Sequence, residues 1–499
     1  MAKAMCGHGT YPADIVPYSS TYYDSGRFGR LFGTLPAFAT DTPQIREALL
    51  HVGKPGGIMD AKDNMAAGPM NLITDPTLSV NNPNNPHLSA GMTFLGQFLD
   101  HDMTFDPTSS LERQTDPEMI SNYRTPTFGL DNLYGAGPVA SPHLYDQVHG
   151  WGIKLLVEGN GTPGKFDLPR NSQMTALLGD PRNDENMILS QLHVAFLQFH
   201  NAVVDYVRSE LKIKSFNESF NEAQRIVRWH YQWMILHFFL PLTCGQAVVD
   251  DVLANGRKFY HWKNDPFIPV EFSVACYRFG HSQVRPSYLA NFAGDKGQPF
   301  AAFIFNPAGE GDPKDPNDLS GSARAPRRYI DWPTFFDFND GKVKNNKKID
   351  ALLSTPLFTL PGSVVAHPDP TKNPQSLAQR NLLRALTFSL PSGQRVAKAM
   401  QLPVLSEDDL DMLKPFGLQN RTPLWFYILR EAGLMQNGET LGPVAARIVT
   451  EVMIGVMEGD KLSYLNQEPD WRPFLPTVDK SHHGKDFGII DILRFAGVA

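Results

Sequence analysis

Between Phe94 and Asp106, FLGQFLDHDMTFD, the chain sets Gln97, Asp100, His101 and Asp102 within two helical turns. Gln97 lies three residues before Asp100 and four before His101, so a helix here lines all three along one face. The apolar Phe94, Leu95, Phe98 and Leu99 fill the remainder. An imidazole, an amide and a carboxylate turned inward must meet something polar, because desolvating them bare costs about a few kcal/mol each. The same device recurs as Arg182 with Glu185 in GDPRNDEN, Arg278 with His281 in FSVACYRFGHSQVR, and Asn381 with Arg384 in RNLLR. Singly, each has an ordinary structural explanation: an exposed salt bridge for Arg182 and Glu185, a satisfied core histidine for His281. Four such pairs, each aiming two functional groups the same way, are harder to assign to packing alone. A divalent-metal hydrolase, with His101 and Asp102 joined by His193 or His200, accounts for the DHD but leaves Arg182, His281 and Asn381 without roles.

The elements that must position these pairs are mainly helical. Ser89 is the expected N-cap of the segment holding His101, while Asp180 and Pro181 cap and open a helix at GDPRNDEN. Gly280 gives close backbone approach beside His281. From Ile188, the residues Leu192, Ala195, Phe199, Val203 and Tyr206 recur at spacings of three and four, the stripe of a long amphipathic helix. Further helices are expected from about Glu222 to Leu240, ending before Pro241, from Leu382 to Met400 with a break at Pro391, and from Gly442 to Glu458. Residues 107–180 read mostly as loop, and the Gly/Pro/Asp-rich stretch from Asn306 to Arg327 as an exposed, mobile one. No strong period-two run, repeat or separating linker is visible. The expected fold class is mainly α: a single large helical body with long loops over 86–499, and an extended N-terminal arm over 1–85 packed on it. That arm carries a short helical piece near Pro43 to His51.

Composition narrows the partners. The 499 residues are 42% hydrophobic and 11% aromatic, enough to bury a large core. A net charge of −7, with no basic run beyond Lys347, Lys348 and their near neighbours, argues against nucleic acid or an anionic membrane surface and favours small molecules. Cys6, Cys244 and Cys276 are odd in number and widely spaced, which suggests a reducing compartment without a disulfide framework. The segment MAKAMCGHGTYPAD has no apolar signal-like stretch. The run from Trp233 to Leu242 falls short of the roughly 20 residues that span a bilayer. The expected location is cytoplasmic, or exported without a recognisable signal peptide, with no membrane span; oligomeric state is not legible.

In combination and in order, GQFLDHDMTFDPT, GDPRNDEN, CYRFGH and RNLLR resemble the four active-site motifs of the animal-type haem peroxidases, the peroxidase-cyclooxygenase superfamily, and its bacterial members in particular. The C-terminal GPVAARIVTEVMIGVMEGDKLSYL is similar to that family as well. The resemblance implies a haem peroxidase that reduces hydrogen peroxide through a high-valent iron-oxo state and oxidises halide or small organic donors. It implies His101 as the distal base, Arg182 as the cation that stabilises charge developing as the O–O bond breaks, and Gln97 as the amide holding water or halide above the iron. His281 matches the axial ligand of the iron of haem b, and Asn381 the residue accepting its other ring N–H. Arg278 and Arg384 match arginines that pair with haem propionates, and Asp100 and Glu185 match carboxylates that become ester-linked to haem methyl groups. Asp102, Thr125, Thr127 and Asp131 match calcium ligands.

Three positions depart from the family pattern. Asn186 stands where one branch carries a Met that forms a sulfonium link, so that link is excluded. Arg278 stands where the fatty-acid dioxygenases have a radical-forming Tyr, and Tyr277, one residue off, is expected to face elsewhere on a helix. Gly129 replaces the Asp usual in the calcium loop RTPTFGLDNLYG, which implies a weakened site or one repaired by the carboxylate of Asp131. Fatty-acid dioxygenation and a non-catalytic haem carrier or sensor are the alternatives.

Overall fold

A computed structural model describes residues 26–106, 111–112, 114–306, 311–362, 364–365, 367–476 and 487–499. The first 25 residues of the expected arm lie outside them. The rest of the arm is woven into the body. Gly26–Gly29 (β1) pairs antiparallel with Ser121–Asn122 and parallel with Ile268–Pro269. Pro43–Val52 (α1), the expected helical piece, packs against Leu377–Thr387 (α5).

The helix bearing His101 spans Gly91–Met103 (α2), with Phe94, Leu95, Phe98 and Leu99 all buried. Its start differs from the sequence expectation. Ser89 ends a strand, Asn84–Ser89, and the cap position is Ala90, which has no side-chain cap. A crossing loop takes over that task, since the backbone N–H groups of Ala90 and Gly91 donate to the carbonyls of Lys344 and Phe335. Gly91 is required here because a Cβ would lie 2.4 Å from the Phe336 ring.

Met187–Ser209 (α3) is the long amphipathic helix, capped by Asn186, whose side chain accepts from the Leu189 N–H. Among the described helices it is the one long and apolar enough to cross a membrane, but 83% of its apolar window is buried inside the protein. It packs against α2 and against Phe216–Met234 (α4). The latter starts earlier than expected because Ser215 caps it. Nor does the helical path end before Pro241. A π-helical turn at Ile235–Phe239 leads into Leu240–Cys244, where Pro241 sits in the first turn and needs no N–H. Ser376 caps α5, which ends ahead of Pro391, and Gly393–Ala399 resumes after it. Leu424–Met435 (α6), absent from the sequence reading, and Pro443–Gly459 (α7) complete the helical core.

A hairpin that the sequence reading did not name is present, and one loop expectation is corrected in part. Ser287–Asp295 (β2) and Gln298–Phe303 (β3) form an antiparallel hairpin. It shows no period-two signal because Ser287, Tyr288, Ala290 and Asn291 are all buried, so burial does not alternate along the strand. The described part of Asn306 to Arg327 is pinned: Leu319 is buried, and the buried Arg328 guanidinium donates to the carbonyls of Pro316, Asp318 and Ser320.

Candidate active site

Gln97, Asp100, His101, Arg182, Glu185, Arg278, His281 and Arg384 line one cavity. Four separate stretches of chain bring these residues there. His101 and Gln97 arrive on α2, and Arg182 on the short 3-10 turn Pro181–Asp184. That turn is opened as expected, with the Asp180 side chain accepting from the Arg182 N–H.

The His101 side of the cavity is held by a chain of buried hydrogen bonds. His101 Nδ1 is 2.8 Å from Asn183 Oδ1, and the Asn183 amide nitrogen is 2.9 Å from His193 Nδ1. All three residues are buried. Asn183 must donate through nitrogen and accept through oxygen, so this arrangement puts the His101 proton on Nδ1 and leaves Nε2 able to accept one. Burial, reinforced by the Arg182 charge, holds His101 down to about 3, and burial does the same to His193. Both rings are therefore neutral at physiological pH.

Arg182 is fixed with equal firmness. It donates from Nε to Asp180 Oδ1 at 3.1 Å, from a terminal nitrogen to Asp180 Oδ2 at 2.9 Å, and to the carbonyls of His101 and Thr104. Its guanidinium also lies over the Phe105 ring. Asp180 additionally receives Arg124 at 3.0 and 2.6 Å. Burial alone would raise the Asp180 carboxyl, but Arg182 and Arg124 outweigh it and hold the group well below the usual range. Behind the same segment, Arg170 pairs with Asp184 at 2.7 and 2.8 Å and with Asp167 at 3.0 Å. Gly321 presses on it so closely that a Cβ would meet the Asp184 carbonyl.

Next to these, Glu185 accepts from Gln97 Nε2 at 3.1 Å, and Asn186 Nδ2 donates to Gln97 Oε1 at 3.2 Å. Burial pushes Glu185 up to about 7 against the pull of Arg182, and burial likewise raises Asp100. Asp100 accepts from Thr104 Oγ1 at 3.2 Å and lies 4.0 Å from Arg182.

His281 sits on the helical turn Gly280–Gln283, and burial with the neighbouring Arg278 charge holds it down to about 3. Asn381, on α5, stands behind it, but with the amide reversed from the expected sense. Its nitrogen, not its oxygen, is 2.7 Å from His281 Nδ1, because Arg278 donates to Asn381 Oδ1 at 3.0 Å. An amide nitrogen cannot accept a ring N–H, so here Asn381 donates. Half a turn of the amide would bring the oxygen to His281 and break the Arg278 bond. Arg278 is pushed down to about 10 by burial and then by Arg384, and burial lowers Arg384 as well. Trp425 on α6 donates to the Arg278 carbonyl at 3.1 Å. Tyr277, expected to face elsewhere, lines the cavity with its hydroxyl donating to the Gly96 carbonyl at 3.1 Å.

Asp102 turns away from the cavity. Its Oδ2 accepts from the Leu130 N–H at 3.0 Å, so it faces the loop carrying Thr125, Thr127 and Asp131. Among the described residues no group of three His, Cys, Asp or Glu side chains is placed to hold a metal ion. The expected calcium ligands supply two carboxylates, Asp102 and Asp131.

Asn183 and the support given by Asp180, Arg170 and Arg124 escaped the sequence reading. Asn183 lies between two motif residues and carried no spacing signal, whereas Asp180 was legible only as a cap. His193, considered for a metal site, instead completes the Asn183 link.

The profile of the family described as Animal haem peroxidase matches residues 122–309, which hold Arg182, Glu185, Arg278 and His281. A peroxidasin homologue (pxn-1) of Caenorhabditis elegans is 24% identical over 392 residues, covering 69% of this chain and 27% of that protein. The chain thus spans about a quarter of that relative's length. Peroxidase A from Dictyostelium discoideum superposes with a TM-score of 0.54 at 16% identity, covering 87% of this chain and 92% of the other. A fatty acid alpha-dioxygenase of Arabidopsis thaliana gives 0.58 at 12% identity, covering 92% and 76%. The fold is thus one that a peroxidase and a dioxygenase share. Within it, the matched segment, residues 122–309, is similar to the animal haem peroxidases.

The cavity wall suits the haem that gives the family its name. His281 is neutral, as an iron ligand must be, and two cations, the half-buried Arg278 and the buried Arg384, line the cavity where an anionic group would suit them. Ser273 Oγ and Gln283 Nε2, on the same wall, are buried with no hydrogen-bond partner among the described residues.

Proposed function

We propose that this chain binds haem b through His281 and reduces hydrogen peroxide, oxidising a halide or a small organic donor. The observation that carries this reading is the convergence on one cavity of a fixed, neutral His101, an anchored Arg182 and a neutral His281. Bound haem supplies the redox-active iron that takes electrons from the donor and passes them to peroxide. His101 accepts a peroxide proton at Nε2, because Asn183 keeps the other ring proton on Nδ1, and returns it to the departing oxygen. Arg182 faces the charge that develops there, and its bonds to Asp180 mean that it need not reorganise. Gln97, braced by Glu185 and Asn186, holds a water or halide beside them. Arg278 and Arg384 bind the propionates, and when Arg278 turns to a propionate it frees Asn381 to present its oxygen to His281.

Asp100 and Glu185 line the cavity as carboxyl groups for ester attachment, and Asn186 offers none. After peroxide cycling, intact mass following acid-acetone extraction is expected to show retained haem, with Asp100→Ala and Glu185→Ala each removing one link. Complete extraction from the cycled protein would refute the attachment.

Fatty-acid dioxygenation is the second reading, favoured by Tyr277 at the cavity wall. Its hydroxyl is tied to the Gly96 carbonyl, and Arg278 holds the position three residues before His281, so the peroxidase reading is preferred. Steady-state turnover of peroxide against chloride, bromide, iodide and a phenol, beside oxygen uptake with a fatty acid, separates the two. Oxygen uptake without peroxide turnover would reverse the preference.

A further inference from the structure

The loop from Thr125 to Asp131 is fastened beneath α2 by a cation, and that cation belongs to the chain. Arg228, on α4, donates from Nε to the Gly129 carbonyl at 2.6 Å. Its guanidinium also lies over the Tyr134 ring. A Cβ built at Gly129 would stand 3.9 Å from a terminal nitrogen of Arg228, 3.4 Å from Asp131 Oδ1 and 3.0 Å from Thr127 Oγ1. The guanidinium therefore sits at the side of Gly129 from which a carboxylate would otherwise project, among the groups expected to ligate calcium.

Charge and coordination both disfavour a divalent ion beside it. With glycine at 129, Asp102 and Asp131 are the carboxylates left, and one oxygen of Asp102 is already committed to the Leu130 N–H. Calcium takes six to eight oxygens at about 2.3–2.6 Å, with carboxylates setting its affinity. A fixed guanidinium at the same loop repels it and offsets part of the negative charge of Asp102, Asp131 and the nearby Asp460. The remaining Asp102 oxygen and the Tyr231 hydroxyl are both buried and face each other. They lie close enough for Asp102 to act on the Tyr231 hydroxyl, so a phenol stands ready where a metal would be needed.

We infer that Arg228 takes the structural place of calcium at this loop, so that the fold and its cofactor loading are independent of divalent metal. The loss of an acidic residue at 129 and the presence of a basic one at 228 are then a matched pair.

The test uses the purified full-length holoprotein. Dialysis against excess EDTA, then millimolar calcium chloride, is expected to leave the melting temperature and the haem content per chain unchanged. Elemental analysis after desalting is expected to find no stoichiometric calcium. One retained calcium per chain, or a fall in melting temperature under EDTA that calcium reverses, would overturn the inference. Arg228→Met should lower the melting temperature by several degrees, since a bond from a charged donor is lost. In Gly129→Asp/Arg228→Met, added calcium should raise the melting temperature, and a double variant that melts without responding to calcium would count against the exchange.

Discussion

The two walls of the cavity are built to different degrees of completion. Around His101 and Arg182 the positioning bonds are already made: Asn183 and His193 fix the imidazole through Nδ1, and Asp180 fixes the guanidinium. Around His281 the parts are present but arranged for one another. Arg278 occupies the Asn381 oxygen, and two desolvated arginines face the cavity. Protein alone can preorganise a base and a charge stabiliser, because their partners are internal. An iron ligand and an anion cradle reach their working arrangement when the group they hold is bound.

The sharpest way to break this contrast is at His281. His281→Ala is expected to lose nearly all haem while far-UV circular dichroism stays native, and normal loading would remove His281 from its role. On the other wall the opposite pattern is expected. His101→Ala or Arg182→Ala should keep near-normal haem content yet slow the reaction with peroxide by about two orders of magnitude or more, the scale of a general base or a charge donor. An unchanged stopped-flow rate would dismiss the assignment. Asn183→Ala should act through His101, slowing the same step by about one order of magnitude and changing its pH profile, because the imidazole proton is no longer confined to Nδ1. A slower rate with an unaltered profile would make Asn183 merely structural.

A smaller effect separates the packed body from both walls. Burial holds His193 and His230 down to about 3 and His200 down to about 4. Unfolded, each titrates near 6.5, so below that pH the unfolded chain binds more protons and stability falls as pH falls. Each is worth up to about 2 kcal/mol at pH 5. Glu431, pushed up to about 8 by burial, works in the other direction, since it keeps its proton in the fold and favours lower pH. Asp102 and Glu185, raised by burial to about 8 and about 7, act as Glu431 does. His101, His237 and His281 are held down like the other three, so six histidines outweigh these three carboxyls and the melting temperature should decline between pH 6.5 and pH 5. A flat or rising profile would contradict this.

Much of the site was legible because its chemistry lies in short spacings. Gln97 with His101 and Arg182 with Glu185 are local pairs, and local geometry survives folding. What could not be read depends on approach between distant segments. Asn183 meets His101 across 82 residues of chain, and Arg228 reaches Gly129 across 99. The orientation of the Asn381 amide has a similar origin: its spacing places it behind His281, but Arg278 decides which end of the amide faces the ring. The cap of α2 was likewise assigned to the nearest serine, while the Lys344 and Phe335 carbonyls that serve it come from a loop far along the sequence.

The most direct test of the account is rapid mixing of the haem-loaded protein with stoichiometric hydrogen peroxide while the Soret band is followed. A fast change that depends linearly on peroxide concentration and slows about a hundredfold in His101→Ala at equal haem content is the expected result. A Soret band that does not respond to peroxide in the native protein, or that responds equally fast without His101, would contradict it.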